Sequence, residues 1–159
     1  MLSIIIIVVS IMLVYGAVMW VKPSAKDKRL ASLRMQALTD GMQVQSCQIQ
    51  DLSIDGRLNK LSRTVFSYRR YSKKESVHSL LILRTSGESG IYLPDSWVWG
   101  TGQRLNEAQT QQLTPLLQQL PESIVGIELT PDYVGVIWDE RNPNEYPLVK
   151  QLLLSDIPY

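Results

Sequence analysis

The hydrophobic pattern begins with a run from Leu2 to Val21 that carries no charge, and no later uncharged apolar run approaches its length. About twenty residues at 1.5 Å each span about 30 Å, the thickness of a bilayer's hydrocarbon core, so the run predicts a transmembrane helix. Ile4 to Val9 is wholly β-branched, a mediocre helix former in water. In lipid any conformation that leaves backbone groups unpaired costs more, and helix prevails. No Lys or Arg precedes the run, and it closes on Met19, Trp20 and Val21. The basic start and small-residue cleavage site of a secretory signal are therefore both missing.

Beyond Pro23 the pattern changes period. Ser24 and Asp27 have the spacing of a capping box with Asp in place of Glu, and Leu30, Leu33, Ala37 and Leu38 share one helical face up to a stop at Gly41. Val44, Cys47 and Ile49 among polar neighbours predict a half-buried strand with an irregularity over Met42 to Gln50, and Asp55-Gly56 predicts a turn. Thr64, Phe66 and Tyr68 alternate in Arg63 to Ser72, as do Val77, Ser79, Leu81 and Leu83 in Val77 to Thr85. These two stretches read as a hairpin joined through Lys73 to Ser76. Leu80 to Leu83 is apolar on both faces and predicts an internal strand.

Thr85 to Gln103 is rich in glycine around Trp97 and Trp99 and predicts a loop holding one short extended piece. Asn106 caps a helix expected to reach Leu120, with Pro115 kinking it or restarting it behind Thr114. Ser123 to Thr130 and Tyr133 to Glu140 form a hairpin about Pro131-Asp132, and Glu145 to Leu154 closes the chain as a helix with Leu148, Val149, Leu152 and Leu153 inward. The order is helix, three strands, helix, two strands, helix. It predicts an α+β chain: an anchor over 1–21, a juxtamembrane amphipathic helix over 22–41, and one antiparallel-sheet domain over 42–159 with helices on one face.

Composition adds location. Lys22, Lys26, Lys28, Arg29 and Arg34 follow the anchor and no cation precedes it, so the amino terminus is expected outside and the domain in the cytoplasm. Trp20 suits the headgroup level, and the five cations suit anionic lipid heads as membrane-surface residues. Up to Arg84 there are thirteen Lys or Arg against five Asp or Glu, and from Thr85 onward three against ten. That asymmetry predicts a basic half toward the bilayer and an acidic half away from it. The single cysteine, Cys47, forms no internal disulfide and suits a reducing compartment.

Candidate chemistry is sparse. Cys47 and His78, the only cysteine and histidine, make a formal thiol and imidazole pair that nothing in their spacing requires, and they fall short of a metal ligand set. Asp139 and Glu140 are adjacent carboxylates at a strand end, expected to be solvated and to face opposite ways. No phosphate-binding glycine motif occurs. Phe66, Tyr68 and Tyr71 interleaved with Arg69, Arg70, Lys73 and Lys74 resemble a base-stacking strand without its sequence signature, and core aromatics with a solvated basic face are expected instead. Trp97 and Trp99 share a strand face if extended, which makes them the candidate partner-binding residues, with core burial as the alternative. No catalytic, cofactor or metal residue is assigned.

The anchor with Lys22-Pro23-Ser24, then Arg29-Leu30, Leu33-Arg34, Ala37, Gly41 and Val44, and Leu93-Pro94 before Trp97 and Trp99, resembles single-pass inner-membrane proteins of Gram-negative bacteria. Some of those are likened to the YajC accessory subunit of the protein translocase, through anchor and basic flank. The resemblance implies an inner-membrane accessory subunit. The expected function is accordingly a non-enzymatic interaction module with a protein partner, the alternative being an enzyme or ligand-binding domain at the membrane surface. No nucleic acid is expected as a partner.

Overall fold

The computed structural model describes residues 2–21, 24–50, 62–73, 79–85, 89–155 and 157, with side chains of the first helix described over 4–16. The turn expected at Asp55-Gly56, the connection over Lys74 to Ser76, and His78 lie outside these residues. The chain divides into two units, Met1–Ser32 and Leu33–Tyr159. The division falls within a helix rather than at the boundary expected near Gly41.

The first unit holds helix α1 (Leu2–Val21) and the start of α2 (Ala25–Thr39). Ser24 caps α2 as its spacing predicts: the Asp27 amide donates to Ser24 Oγ at 3.1 Å, and the Ser24 amide donates to Asp27 Oδ2 at 3.1 Å. The Ser24 hydroxyl hydrogen bond, first, and that amide hold the Asp27 carboxyl below its ordinary range. Among the described residues no helix is long and apolar enough to cross a membrane.

The second unit is a six-stranded, wholly antiparallel sheet. Its strands are β1 (Gln43–Gln50), β2 (Ser62–Tyr71), β3 (Leu80–Arg84), β4 (Trp97–Gly102), β5 (Ile124–Leu129) and β6 (Tyr133–Trp138), in the order β1-β2-β6-β5-β3-β4. Helix α3 (Glu107–Gln119) connects β4 to β5, and α4 (Tyr146–Leu154) closes the chain behind a 3-10 turn at Pro143–Glu145. The short extended piece expected near the tryptophans is the sixth strand, β4.

Two pairings depart from expectation. β2 and β3 do not form a hairpin: β2 pairs with β6, setting Phe66 opposite Trp138 and Tyr68 opposite Val136, and β3 pairs with β5 and β4. Alternation in a sequence fixes which face a residue takes and leaves the neighbouring strand open. The tight β5-β6 hairpin about Pro131-Asp132 forms as expected and occupies the space between β2 and β3. β1 also lacks its expected irregularity, running in unbroken register from Gln43 opposite Arg69 to Gln50 opposite Ser62. Val44 simply lies on the face opposite Cys47 and Ile49.

Within the sheet the strand order mixes the two parts of the sequence. β1, β2 and β3 come from the basic part of the sequence and β4, β5 and β6 from the acidic part, and the sheet interleaves them. Among the described residues of the second unit, strands from the two parts of the sequence thus lie side by side. Opposite charges are brought together: Arg34 with Glu140, Arg69 with Glu128, and Lys150 with Asp40.

One sheet face carries Phe66, Tyr68, Val136, Trp138, Ile82 and Trp97. Tyr146 of α4 packs 6.4 Å from Tyr68, Arg34 of α2 lies 3.6 Å over the Phe66 ring, and Arg84 reaches the end of α3, so these helices approach from that face. Leu33 and Ala37 of α2 are buried, whereas Leu38, expected on the same face, is exposed. In α4, Val149, Leu152 and Leu153 are buried as expected, while Leu148 is half-buried. The other sheet face gathers Ile49, Val65, Leu83, Val125 and Ile137, with Cys47, Leu81 and Val98 packed against them.

Asn106 makes a full capping box with Gln109, and α3 continues through Pro115 without restarting. Gly102 ends β4 at φ +104°, where a Cβ would lie 2.0 Å from the Ser79 carbonyl oxygen. That oxygen accepts from the Gln103 amide at 2.9 Å and is held in place. Gly102→Ala is therefore expected to destabilise the domain by more than about 1 kcal/mol, measured as the shift in chemical unfolding midpoint.

Candidate functional site

Two polar assemblies sit on the helical face. Glu140 follows β6 at φ 56°, a left-handed conformation that turns its side chain under α2, and it is 3% exposed. Arg34 meets it two-pronged, Nε donating to Oε1 at 2.9 Å and Nη2 donating to Oε2, and the Tyr68 hydroxyl donates to Oε1 at 2.7 Å. Burial first, and the Glu140 carboxylate second, push the Tyr68 phenol well above its ordinary range, so it remains a donor. Just past the end of α2, the Tyr146 hydroxyl donates to Asp40 Oδ2 at 2.6 Å and Lys150 Nζ lies 2.8 Å from Oδ1. Lys150 first and Tyr146 second hold the Asp40 carboxyl below its ordinary range.

The sign of that shift fixes a pH dependence. A depressed folded-state value contributes stability above the unfolded carboxyl range and loses it as pH falls through the lowered value. Asp40→Asn is thus expected to flatten the acid side of the thermal stability curve below about pH 4 and to leave its shape above pH 5 unchanged, read by melting temperature across pH.

The opposite face has its own network. Ser67, fully buried, donates to Glu128 Oε2 at 2.8 Å, and Arg69 Nε donates to the same oxygen at 3.1 Å. Arg69 also donates to Gln45 and lies 4.6 Å from the Tyr133 ring centre. This segment's aromatic and basic residues are divided: Tyr68 is core, Arg69 is paired and Arg70 donates to the Leu153 carbonyl at 3.2 Å, whereas Tyr71 and Lys73 are exposed.

At the end of the sheet where β3 stops and β4 starts lies a cleft of about 750 Å³. Its inner wall is Leu83, Thr85, Trp97, Leu117 and Leu120, all buried, with Arg84 half-buried among them. Arg63, Arg141, Asp95 and Glu122 also line it and are exposed. Arg84 is fixed by two carbonyls at the end of α3, Nη1 donating to Pro121 O at 2.7 Å and Nη2 to Leu120 O at 2.9 Å, and lies 4.7 Å from the Trp97 ring centre. Burial pulls its pKa below the ordinary arginine value. Thr85 is 6% exposed, and its hydroxyl has no partner among the described residues.

The residues singled out from the sequence fare differently. Trp97 is 1% exposed and belongs to the core; Trp99 is half-buried, its indole nitrogen donating to Ile91 O at 3.0 Å. Of the two readings, core burial holds for Trp97, which β4 turns inward beside Arg84, and Trp99 is left half-buried. Lys26, Lys28 and Arg29 are exposed, as a membrane-surface role requires. Arg34 does not belong with them, because its guanidinium is engaged by Glu140 and Phe66 inside the domain. The Trp20 side chain and Lys22 lie outside the described residues.

Glu140 is not the solvated strand-end charge that was expected, whereas Asp139 turns the other way to meet Arg141 Nε at 2.8 Å. Cys47 is half-buried on β1, its thiol pushed up first by burial and then by Glu128, the reverse of an activated nucleophile. Among the described residues no three His, Cys, Asp or Glu side chains gather as metal ligands would. The cleft escaped the sequence reading because its walls come from six separated stretches. Only Trp97 within it carried a local signal.

Comparison with protein-family models, with curated proteins and with solved structures finds no match to this chain.

Proposed function

We propose that this chain is a membrane-anchored, non-enzymatic interaction or accessory subunit that holds an α+β domain at the cytoplasmic surface of a bacterial inner membrane for a protein partner. One observation carries the anchor. Every large apolar side chain described in α1, from Ile4 to Tyr15, is between 49% and 71% exposed, around the full circumference of the helix. A helix apolar all round needs burial on all sides, and a bilayer supplies it. The exposed Lys26, Lys28 and Arg29 favour a cytoplasmic flank against anionic lipid. The non-enzymatic reading is supported by the engagement of Glu140, Asp40 and Glu128 in pairings that join helix to sheet, helix to helix and strand to strand.

Membrane fractionation tests the anchor directly. The full chain is expected to stay in the pellet through alkaline carbonate extraction, and a chain lacking residues 2–21 is expected in the supernatant. A cytoplasm-active reporter fused after Tyr159 should be active and a periplasm-active one inactive. Release of the full chain by carbonate would overturn the anchor, and the opposite pair of reporter activities the orientation.

A further inference from the structure

We infer that the cleft between the β3-β4 end of the sheet and the end of α3 is a binding site for a carboxylate carried on an apolar body. Its depth and its mouth differ in chemistry. At the mouth, Arg63 and Arg141 are exposed together with Asp95 and Glu122, so the charges there offset one another and select for neither sign. Inside, the buried or half-buried polar side chains are Arg84, Thr85 and Ser96, each able to donate a hydrogen bond, set among Leu83, Trp97, Leu117 and Leu120. A guanidinium has five N–H groups, and the Leu120 and Pro121 carbonyls engage two of those on Arg84.

The Thr85 hydroxyl is more than nine-tenths buried and has no partner among the described residues, a condition that costs free energy unless a ligand relieves it. Arg84 is likewise half-buried, and although Glu122 lies near enough to favour its charged form, no described carboxylate is hydrogen-bonded to it. An acceptor that is also an anion answers both, and the leucine and indole surfaces answer an apolar body. The volume, about 750 Å³, lies within the range of small-ligand clefts. The same chemistry is offered by the carboxyl terminus of an apolar partner peptide and by a free branched-chain carboxylic acid. The inference stands whether or not α1 spans a bilayer.

The test uses the full isotope-labelled chain in lipid nanodiscs, titrated with N-acetyl-leucyl-leucine, its carboxamide, 5-methylhexanoate and inorganic phosphate. At least one of the two apolar carboxylates is expected to shift the Thr85 amide and Trp97 indole signals, with N-acetyl-leucyl-leucine binding at least tenfold tighter than its carboxamide if the peptide is the source. Binding of 5-methylhexanoate alone identifies a free acid. Arg84→Lys removes the fork that caps α3 and can fail to fold, so the deciding variant is Thr85→Val. It should weaken the carboxylate about fivefold while leaving the melting temperature unchanged or higher, because the hydroxyl it removes has no partner among the described residues. Equal affinity for carboxamide or phosphate, undiminished binding by Thr85→Val, or shifts confined to residues outside the cleft would each overturn the assignment.

Discussion

Glu140→Ala is expected to be among the most destabilising single substitutions in the domain. It leaves the Arg34 guanidinium without its two-pronged partner and the Tyr68 hydroxyl without an acceptor, in a place where Glu140 itself is almost wholly buried. Removing one member of a buried pair costs about 3–5 kcal/mol when the other charge remains buried. The Arg34 side chain is 33% exposed, so water recovers part of that, and a loss of about 2–3 kcal/mol is expected, on the order of 10 °C in melting temperature. Glu140→Gly separates the two contributions. It loses the same contacts but relieves the left-handed backbone at φ 56°, and should be more stable than the alanine variant by about 1 kcal/mol. Chemical unfolding of the full chain, followed by near-ultraviolet circular dichroism, measures both. A loss under 0.5 kcal/mol for Glu140→Ala, on the scale of an exposed pair, would show that the pairing is not what holds α2 to the sheet.

Trp97→Ala is expected to cost about 3–5 kcal/mol, the range for a large aromatic removed from a core, whereas a tryptophan on a docking surface would cost folding almost nothing. Trp97 is buried, stacks under Arg84, and fills the wall between β4 and α3. Its removal leaves a cavity and loosens the guanidinium that caps α3. Trp99→Ala is the control: it is half-buried and holds one hydrogen bond to Ile91, so a loss of about 1–2 kcal/mol is expected. Equal and small losses for both would restore the pair as a surface feature. Unfolding midpoints for the two variants, compared at constant denaturant slope, distinguish these outcomes.

Much of the architecture was legible in local pattern. Caps at Ser24 and Asn106, the stop at Gly41 with φ +79°, the β5-β6 hairpin and the internal character of β3 all depend on residues within a few positions of one another, so the sequence displays them directly. The candidate sites were much less legible. Arg34 looked like a fifth cation of a membrane flank because its partner lies 106 residues away, and Glu140 looked solvated because nothing nearby hinted at α2 above it. Trp97 was visible as an aromatic in a glycine-rich stretch, but burial is settled by the helix packed against it.

The sequence by itself determined the long uncharged run of α1, the α+β class, the strand faces and the caps, because each follows from spacing, period or chain propensity. Only the tertiary structure decided which strands are neighbours. By placing the β5-β6 hairpin between β2 and β3 it set strands from the two parts of the sequence side by side and made pairs such as Arg69 with Glu128. It likewise brought Arg84, Thr85 and Trp97 to the end of α3 and so made the cleft. The physical reason is common to both: alternation specifies a face, but partner choice and cavity shape depend on contacts between distant segments, which no local pattern encodes.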